Sequence, residues 1–218
     1  MVIRILANIV KSLGICEEKC ISCGGKIYYL DQGYVCEKCI KSLKPYHPVQ
    51  YKRLDYIRSY RVFGRYEGTL KDIIQNVKFH ANIPLAHLLG KTISPYLWEY
   101  IQNLKPDLIT CPAINVRRYW SRGFNHAEEI LKGADVPYIK VFTRTGFDPA
   151  SAGLKSEDRL RVVKSHHLRK NTIDLLEDKK VLIFDDVLTT GATIKRLAEL
   201  ALSVGASQVH AFFVAEAL

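Results

Sequence analysis

The chain has 218 residues, enough for one full hydrophobic core and a small appendage, and its 48% hydrophobic and 25% charged composition excludes a disordered or fibrous protein. The formal net charge of +10 and the pI of 9.3 favour an anionic partner, such as nucleic acid or a phosphorylated metabolite. No apolar run approaches the roughly 20 residues that span a bilayer, so we expect no membrane insertion.

The first predicted element is N-terminal. Residues 1–15, MVIRILANIVKSLGI, are mostly apolar but are interrupted by Arg4 and Lys11. They lack the small-residue cleavage site of a secretion signal. We therefore predict a short amphipathic helix here and a cytoplasmic protein.

Two cysteine pairs follow, Cys20-x2-Cys23 and Cys36-x2-Cys39. Six cysteines would also suit disulfides in a small secreted protein, but without a secretion signal metal ligation is the better interpretation. Two residues between thiolates let one turn present both sulfurs to a metal, and two such turns complete a tetrahedral Zn²⁺ site with Zn–S distances of about 2.3 Å. The segments KIYYL and YVC would form the hairpin that holds the pairs together, and Cys16 remains as a spare thiol.

Two roles fit this zinc ribbon. Zinc can act as a structural staple for a segment too small to fold alone. Alternatively, the surrounding lysines can contact nucleic acid or a protein; they are Lys19, Lys26, Lys38, Lys41 and Lys44. The proline-containing stretch KSLKPYHPVQ then reads as a linker, which divides the chain into residues 1–50, with the helix and ribbon, and residues 51–218.

Strands and helices alternate in the second part. The pattern predicts an edge strand in IRSYRVFGRY and buried strands in LITCPA, YIKVFTRT, KVLIFDDVL and QVHAFFVAEA. It predicts helices in EGTLKDIIQNVKFH, PLAHLLGKTISPYLWEYIQNL, NHAEEILKG and GATIKRLAELALSVGA. This alternation predicts an α/β fold, a parallel sheet flanked by helices.

The run VLIFDDVLTTGAT combines the parts of a phosphosugar site. Asp185 and Asp186 lie at the carboxyl end of a buried strand, where ligands bind in open parallel sheets and where carboxylates can accept hydrogen bonds from vicinal ribose hydroxyls. The turn that follows leads into a helix whose N–H groups and hydroxyls suit a phosphate; it consists of Thr189, Thr190, Gly191, Ala192 and Thr193. The alternative is an ordinary helix cap and loop.

This run resembles the phosphoribosyl pyrophosphate (PRPP) motif of type I phosphoribosyltransferases. The resemblance implies that Asp185 and Asp186 bind the ribose hydroxyls and that residues 189–193 bind the 5-phosphate. Together with the four-cysteine ribbon, YEGTLKDIIQNVKFH and LITCPAINVRRYWSRGFNHAEEI, it makes the chain after residue 16 similar to the ComF family of competence-associated proteins. That family is tied to DNA uptake during natural transformation.

The segment CPAINVRRYWSRGFNHA places Arg117, Arg118 and Arg122 in a loop after a buried strand, where guanidinium groups can clamp a pyrophosphate. The sequence Arg122-Gly123-Phe124 resembles the RGF of adenine phosphoribosyltransferases. The alternative is a solvated basic loop with Asn125 as the N-cap. Lys78 matches a lysine of the ComF pattern and would also face phosphate, although a surface lysine ending a helix is the commoner case.

The long basic stretch between Thr143 and Asn171 corresponds, by the same resemblance, to a mobile hood over the reacting carbon, with Arg159 and Arg161 as its candidates. ComF proteins usually have glutamine at the position of Ser151 and asparagine at that of Val162. These departures bear on acceptor recognition and catalysis rather than on PRPP binding. We expect the scattered histidines, including His126 and the pair His166-His167, to be structural or solvated, and Cys111 to lie in the core.

If the protein is an enzyme, the resemblance implies that an unidentified nucleophile displaces pyrophosphate from PRPP. Mg²⁺ would bridge the pyrophosphate and the ribose hydroxyls, with Asp185, Asp186 and Arg122 as the catalytic residues that position them. The alternative is a protein that binds single-stranded DNA through the ribbon and its basic surface and keeps the PRPP pocket as a sensor or relic. A third hypothesis is a structural partner of other competence proteins.

Overall fold

The computed structural model describes residues 18–27, 34–46, 53–116, 119–120, 123–145 and 165–217. The strands in this part of the chain are β1 (Glu18–Lys19), β2 (Lys26–Ile27), β3 (Ser59–Arg65), β4 (Leu108–Thr110), β5 (Phe142–Arg144), β6 (His166–Leu168), β7 (Lys180–Leu188) and β8 (Gln208–Glu216). The α-helices are α1 (Glu37–Ser42), α2 (Gly68–Phe79), α3 (Ile83–Leu104), α4 (His126–Gly133) and α5 (Ala192–Ser203).

The central sheet has four parallel strands in the order β3-β8-β7-β4. Side chains of consecutive residues point to opposite faces, so each buried strand contributes to two apolar clusters. Leu182 and Phe184 of β7 pack with α2, α3 and α4, whereas Val181 and Ile183 pack with α5. The predicted α/β architecture, a parallel sheet flanked by helices, is confirmed.

The predicted edge strand IRSYRVFGRY is β3, which pairs only with β8 among the described strands. The segment YIKVFTRT, in contrast, was wrongly predicted as a strand of the same sheet. Its three-residue strand β5 pairs antiparallel with β6 in a separate two-stranded sheet. Ile139 N–H donates a 2.8 Å hydrogen bond to Ile109 O of β4. Beyond Ile139 the chain leaves β4, and the side chains of Val141 and Phe142 are buried in the apolar cluster that contains α5.

The cysteine segment is continuous with the main core. Strands β1 and β2 form an antiparallel pair on either side of the first cysteine knuckle, Cys20 to Cys23, and α1 begins directly after Cys36. Cys20, Val35 and Cys39 are buried in the same apolar cluster as α2, α3 and α4. The N-terminal helix predicted for residues 1–15, most of the linker near residue 50 and the rest of KIYYL lie outside the described residues.

Helix α4 crosses α3 with backbones in close contact. A Cβ atom built on Gly90 of α3 would lie 2.1 Å from the carbonyl oxygen of Ile130, and one on Gly133 would lie 2.4 Å from that of His87. These glycines therefore set the distance between the two helices. Among the described residues, none of the helices combines the length and hydropathy needed to cross a bilayer.

Candidate functional site

Strand β7 brings the predicted aspartates to the carboxyl edge of the sheet. It spans the predicted segment KVLIFDDVL and continues through both aspartates to Leu188. Its last pair with β4 is Thr110–Ile183, so residues 184–188 extend beyond β4 while still pairing with β8. Asp186 points to the side of α2 and α4, where it contacts Lys78 and His126. Asp185 lies opposite Phe213 of β8, whose side chain packs on the side of α5.

The loop after β7 turns directly into α5. Gly191 has φ +77°, a left-handed conformation that glycine adopts without strain, and it is the N-cap of α5. Thr189 and Thr190 are exposed, and Thr190 Oγ1 accepts a 3.4 Å hydrogen bond from Ala192 N–H. The first N–H groups of this 12-residue helix are available to an anion at the end of β7.

Asp186 is buried between two basic side chains. Its Oδ2 lies 2.7 Å from Lys78 Nζ, at the end of α2, and 2.6 Å from His126 Nε2, at the start of α4. Burial raises the pKa of Asp186, but the contacts with Lys78 and His126 outweigh burial and hold this pKa well below its ordinary value. Lys78 therefore lies at the candidate site, paired with Asp186, and its side chain is only 20% exposed.

Asp185 is only partly buried, and its surroundings raise its pKa, whereas those of Asp186 lower the pKa of Asp186. Burial, reinforced by the charge of Asp186, raises its pKa to about 7 although the backbone N–H of Asp186 and the charge of Lys78 oppose the shift. Asp185 Oδ1 accepts a 2.8 Å hydrogen bond from Asp186 N–H. The two neighbouring carboxyls thus differ strongly in acidity.

Sequence reasoning missed the role of His126, which we expected to be structural or solvated. The available signal was its position: it follows the helix cap Asn125 and starts the helix after the arginine loop, so it had to lie near the carboxyl edge of β4. Asn125 fixes this position. Its Oδ1 accepts from Ala127 N–H at 3.2 Å, as an N-cap should, and its Nδ2 donates to Pro112 O at 2.9 Å.

Several predicted residues lie outside the described residues: Arg117, Arg118, Arg122, Arg159, Arg161, Ser151 and Val162. The pyrophosphate loop and the hood therefore remain predictions. The described chain does place the ends of both segments. The arginine loop ends at α4, beside Asp186, and the segment after β5 returns through β6, where Thr145 N–H donates to Ser165 O at 2.9 Å.

The four predicted zinc ligands come together. The sulfur atoms of Cys20, Cys23, Cys36 and Cys39 all lie within 4.8 Å of one another, and Cys23 Sγ is 3.7 Å from Cys36 Sγ. A tetrahedron with Zn–S bonds of about 2.3 Å has edges of about 3.8 Å, so the arrangement fits zinc.

The environment of the cysteine cluster also suits a metal thiolate. Burial raises the pKa of Cys20, but hydrogen bonds from the backbones of Cys23, Cys36 and Ser22 outweigh it and lower the pKa to about 6. Burial, with the neighbouring thiols, raises the pKa of Cys39 to about 12. A bound cation would compensate the cost of ionising such closely spaced thiols.

Two of the other histidines, His166 and His210, and Cys111 are buried in the interior. His166 and His167 form part of β6 instead of a loop, and His166 is buried. His210 is buried at the amino end of β8, with Nδ1 2.7 Å from Ser59 Oγ. Cys111 is in the core, where burial raises the pKa of its thiol.

The fold and the strand-loop-helix site are those of a phosphoribosyl transferase domain. Residues 85–217 match the family described as "Phosphoribosyl transferase domain". This match spans more than half of the chain, so the protein belongs to that family.

Its relatives of known name are competence and DNA utilization proteins. Competence protein ComFC of Streptococcus pneumoniae is 28% identical over 154 residues, which are 71% of this chain and 66% of that protein. Competence protein F of Haemophilus influenzae is 24% identical and covers 91% of this chain and 97% of its own length. DNA utilization protein YhgH of Escherichia coli K12 is 24% identical over 84% of this chain and 78% of its own. These similarities confirm the resemblance to the ComF family.

Proposed function

We propose that this protein binds PRPP at the carboxyl edge of β7. The observation that carries this proposal is the juxtaposition of two acidic side chains, Asp185 and Asp186, with the exposed N-terminus of α5 a few residues later. Carboxylates suit the neutral hydroxyls of a ribose, and free helix N–H groups suit its phosphate. Lys78 adds a positive charge on the same edge.

The proposed reaction is transfer of the phosphoribosyl group to a nucleophile with release of pyrophosphate. In this reaction, positive charge develops on the sugar ring and negative charge on the leaving group. Mg²⁺ bound with PRPP would neutralise the pyrophosphate. The protein's own contribution would be to orient the ribose through the aspartate pair and to bind the leaving group through Arg122, with Arg117 and Arg118 beside it.

Calorimetric titration with PRPP and Mg²⁺ tests this proposal directly. The wild type should bind, and the Asp185→Asn/Asp186→Asn double variant should lose binding. The matched control is Asp174→Asn/Asp178→Asn, which makes the same change in charge at exposed positions before the amino end of β7. A folded wild type that binds no PRPP would exclude the proposal.

We further propose that the protein acts in the handling of incoming DNA in the cytoplasm, with structural zinc in the ribbon. The names of its relatives support this cellular role. Other competence proteins are the expected partners. A strain with the Asp185→Asn/Asp186→Asn variant should lose transformation if PRPP is required; retained transformation would favour a purely structural role.

A second candidate function is binding of single-stranded DNA. A groove of about 1070 Å³ runs beside β3 and is lined by Arg53 and Arg58, together with Asp55 and the exposed ring of Tyr56. Positive charge next to an aromatic ring suits a single strand, whose bases stack while its phosphates are neutralised.

The groove can be tested with a fluorescent oligothymidylate. Binding should weaken steeply with salt, because neutralised phosphates release counterions. Arg53→Ala/Arg58→Ala should reduce both the affinity and the salt dependence, whereas the control Lys71→Ala/Lys91→Ala, which removes the same charge on α2 and α3, should not. Equal losses in both variants would argue against a site in the groove.

A further inference from the structure

The groove beside β3 and the phosphate loop, residues 189–193, are joined by one segment of the chain. Residues 53–58 line the groove, and Arg58 N–H near their end donates a 2.8 Å hydrogen bond to the backbone at the start of β8. Near their beginning, Leu54 lies against the phosphate loop: a Cβ atom built on Gly191 would be 2.8 Å from Leu54 Cδ2. This segment therefore runs from the phosphate loop to the amino edge of the sheet.

The same segment also contacts the first turn of α5. Lys195, whose N–H donates to Gly191 O, places Nζ 2.6 Å from Asp55 Oδ2 and 5.8 Å from the centre of the Tyr56 ring. Both side chains of the ion pair are more than half exposed, so the pair orients the segment but contributes little stability. Leu54, in contrast, packs against the apolar cluster that contains α5. Packing of Leu54 therefore does more than the ion pair to join the groove to the phosphate loop.

Tyr56 has a backbone conformation that bulky residues rarely adopt. Its φ is +67°, in the left-handed region, within a turn in which Ile57 N–H donates to Leu54 O at 3.2 Å. Such a conformation is unfavourable by itself and depends on surrounding contacts. The ring of Tyr56 is 49% exposed and lines the groove. A ligand that stacks on this ring would therefore stabilise the same turn that places Leu54 against Gly191.

We propose that the groove is an effector site for nucleotides, the unit of base and phosphate shared by single-stranded DNA and free mononucleotides, and that its occupation strengthens PRPP binding through the turn Leu54–Ile57. This regulation rests on the proposed PRPP site and adds a second site to it. Arg53 and Arg58 supply positive charge for phosphates, and Tyr56 supplies the stacking surface. Each ligand binds a protein whose turn the other has already ordered, so both affinities rise by the same factor.

The sign of the effect separates this coupling from simple electrostatics. PRPP and an oligonucleotide are both polyanions, so charge repulsion or competition for one site would weaken PRPP binding when DNA is present. Added salt would relieve such repulsion. Coupling through the turn strengthens binding instead, and it persists at moderate salt because the contact between Leu54 and Gly191 is apolar.

Titration of PRPP with Mg²⁺, with and without a saturating oligothymidylate, measures the coupling. The wild type should bind PRPP roughly fivefold more tightly with the oligonucleotide present, and its affinity for the oligonucleotide should rise by the same factor with PRPP. Thymidine monophosphate is the second probe: an equal effect identifies the nucleotide unit, whereas an effect of oligothymidylate alone identifies a DNA strand. No change, or weaker PRPP binding, with both probes would overturn the proposal.

Leu54 provides a matched pair of variants. Leu54→Ala keeps every charged and aromatic group of the groove but removes the contact with Gly191, so the coupling factor should fall to about one while the oligonucleotide still binds. Leu54→Met, which nearly conserves the side-chain volume, should keep the coupling. Tyr56→Gly suits the left-handed backbone but removes the ring, and it should lose the coupling as well. Full coupling in folded Leu54→Ala would overturn the role of the turn.

Hydrogen exchange separates this coupling from the function on which it rests. The oligonucleotide alone should slow amide exchange at residues 189–195 in the wild type but not in Leu54→Ala. A wild type that binds no PRPP would exclude the proposed function, while slowed exchange would still show that the groove and the phosphate loop are coupled. Unchanged exchange and unchanged PRPP affinity, in a protein that binds the oligonucleotide, would overturn the coupling itself.

Discussion

Ser22 Oγ and Thr69 Oγ1 lie 2.9 Å apart, and this contact joins the cysteine segment to the first turn of α2. The last turn of the same helix carries Lys78, which contacts Asp186. The apolar side of α2, with Leu70, Ile74 and Val77, packs in one cluster with Cys20 and Cys39. One helix, α2, therefore connects the cysteine segment to the candidate PRPP site.

Removal of zinc should destabilise the whole protein rather than the ribbon alone. Because the cysteines share a core with α2, we expect chelation or Cys39→Ser to lower the melting temperature by roughly 10 °C in a single transition, and to weaken PRPP binding. Calorimetry and zinc content measure both effects. Cys111→Ala, a core cysteine outside the cluster, should retain zinc; two separate transitions in the zinc-free protein would contradict the prediction.

Replacement of Gly90 should separate α3 from α4. The new methyl group would meet the backbone of Ile130 and Ala134, which cannot move aside as a side chain can, so Gly90→Ala should cost about 3 kcal/mol of unfolding free energy. Because α4 begins at His126, PRPP affinity should fall as well. Denaturant unfolding checks the stability, with the exposed neighbour Lys91→Ala as the control; an unchanged midpoint would show that the helices do not approach so closely.

Asp185 should make the protein less stable as the pH rises. Its folded pKa of about 7 exceeds the ordinary value of 3.8, so the stability linked to its proton is fully present below about pH 4 and is lost as the pH rises to about 7. Asp185→Asn should therefore gain about 2 kcal/mol over the wild type at pH 8 and little at pH 4. Urea unfolding at both pH values measures this difference, with the exposed Asp174→Asn as the control.

His210 should have the opposite pH dependence. Burial, with the charges of Lys180 and Arg58, lowers the pKa of His210 from its ordinary value of 6.5 to about 4 in the folded protein. Between these pH values His210 is protonated in the unfolded chain but neutral in the folded chain, so protons favour unfolding. Stability linked to His210 should thus be present above pH 6.5 and should fall by about 2 kcal/mol as the pH drops towards 4. His210→Gln should flatten this part of the pH profile. A profile unchanged by the substitution would mean that His210 binds its proton equally well in the folded and in the unfolded chain.

Local patterns predicted much of this structure. The spacing of Cys20, Cys23, Cys36 and Cys39 was enough to predict their cluster, because the geometry of a metal knuckle is set within a few residues. The same holds for the turn at residues 189–193, which was predicted from its own sequence to lead into a helix and which does lead into α5. The parallel sheet followed from the alternation of strands and helices.

Contacts between distant segments were not predictable in the same way. His126 and Lys78 are 60 and 108 residues from Asp186, and only the packing of α2 and α4 against β7 brings them to one oxygen. The prediction that β5 belongs to the parallel sheet was also wrong. An apolar run such as YIKVFTRT indicates that a strand is buried but does not indicate which strand it pairs with. In both cases the missing information is which distant segments pack together, and a local sequence pattern does not specify that.

The stretch just before β3 also borders the phosphate loop. A Cβ atom on Gly191 would lie 2.8 Å from Leu54 Cδ2, Lys195 Nζ of α5 contacts Asp55 Oδ2 at 2.6 Å, and Arg58 N–H donates to Val209 O. Residues 53–58, which lead from the cysteine segment into β3, therefore pack against the phosphate loop at residues 189–193 and the start of α5. As a consequence, the ribbon and the transferase-like domain are not freely exchangeable modules: a chimera that imports another ribbon must preserve residues 53–58 to keep the phosphate loop in shape.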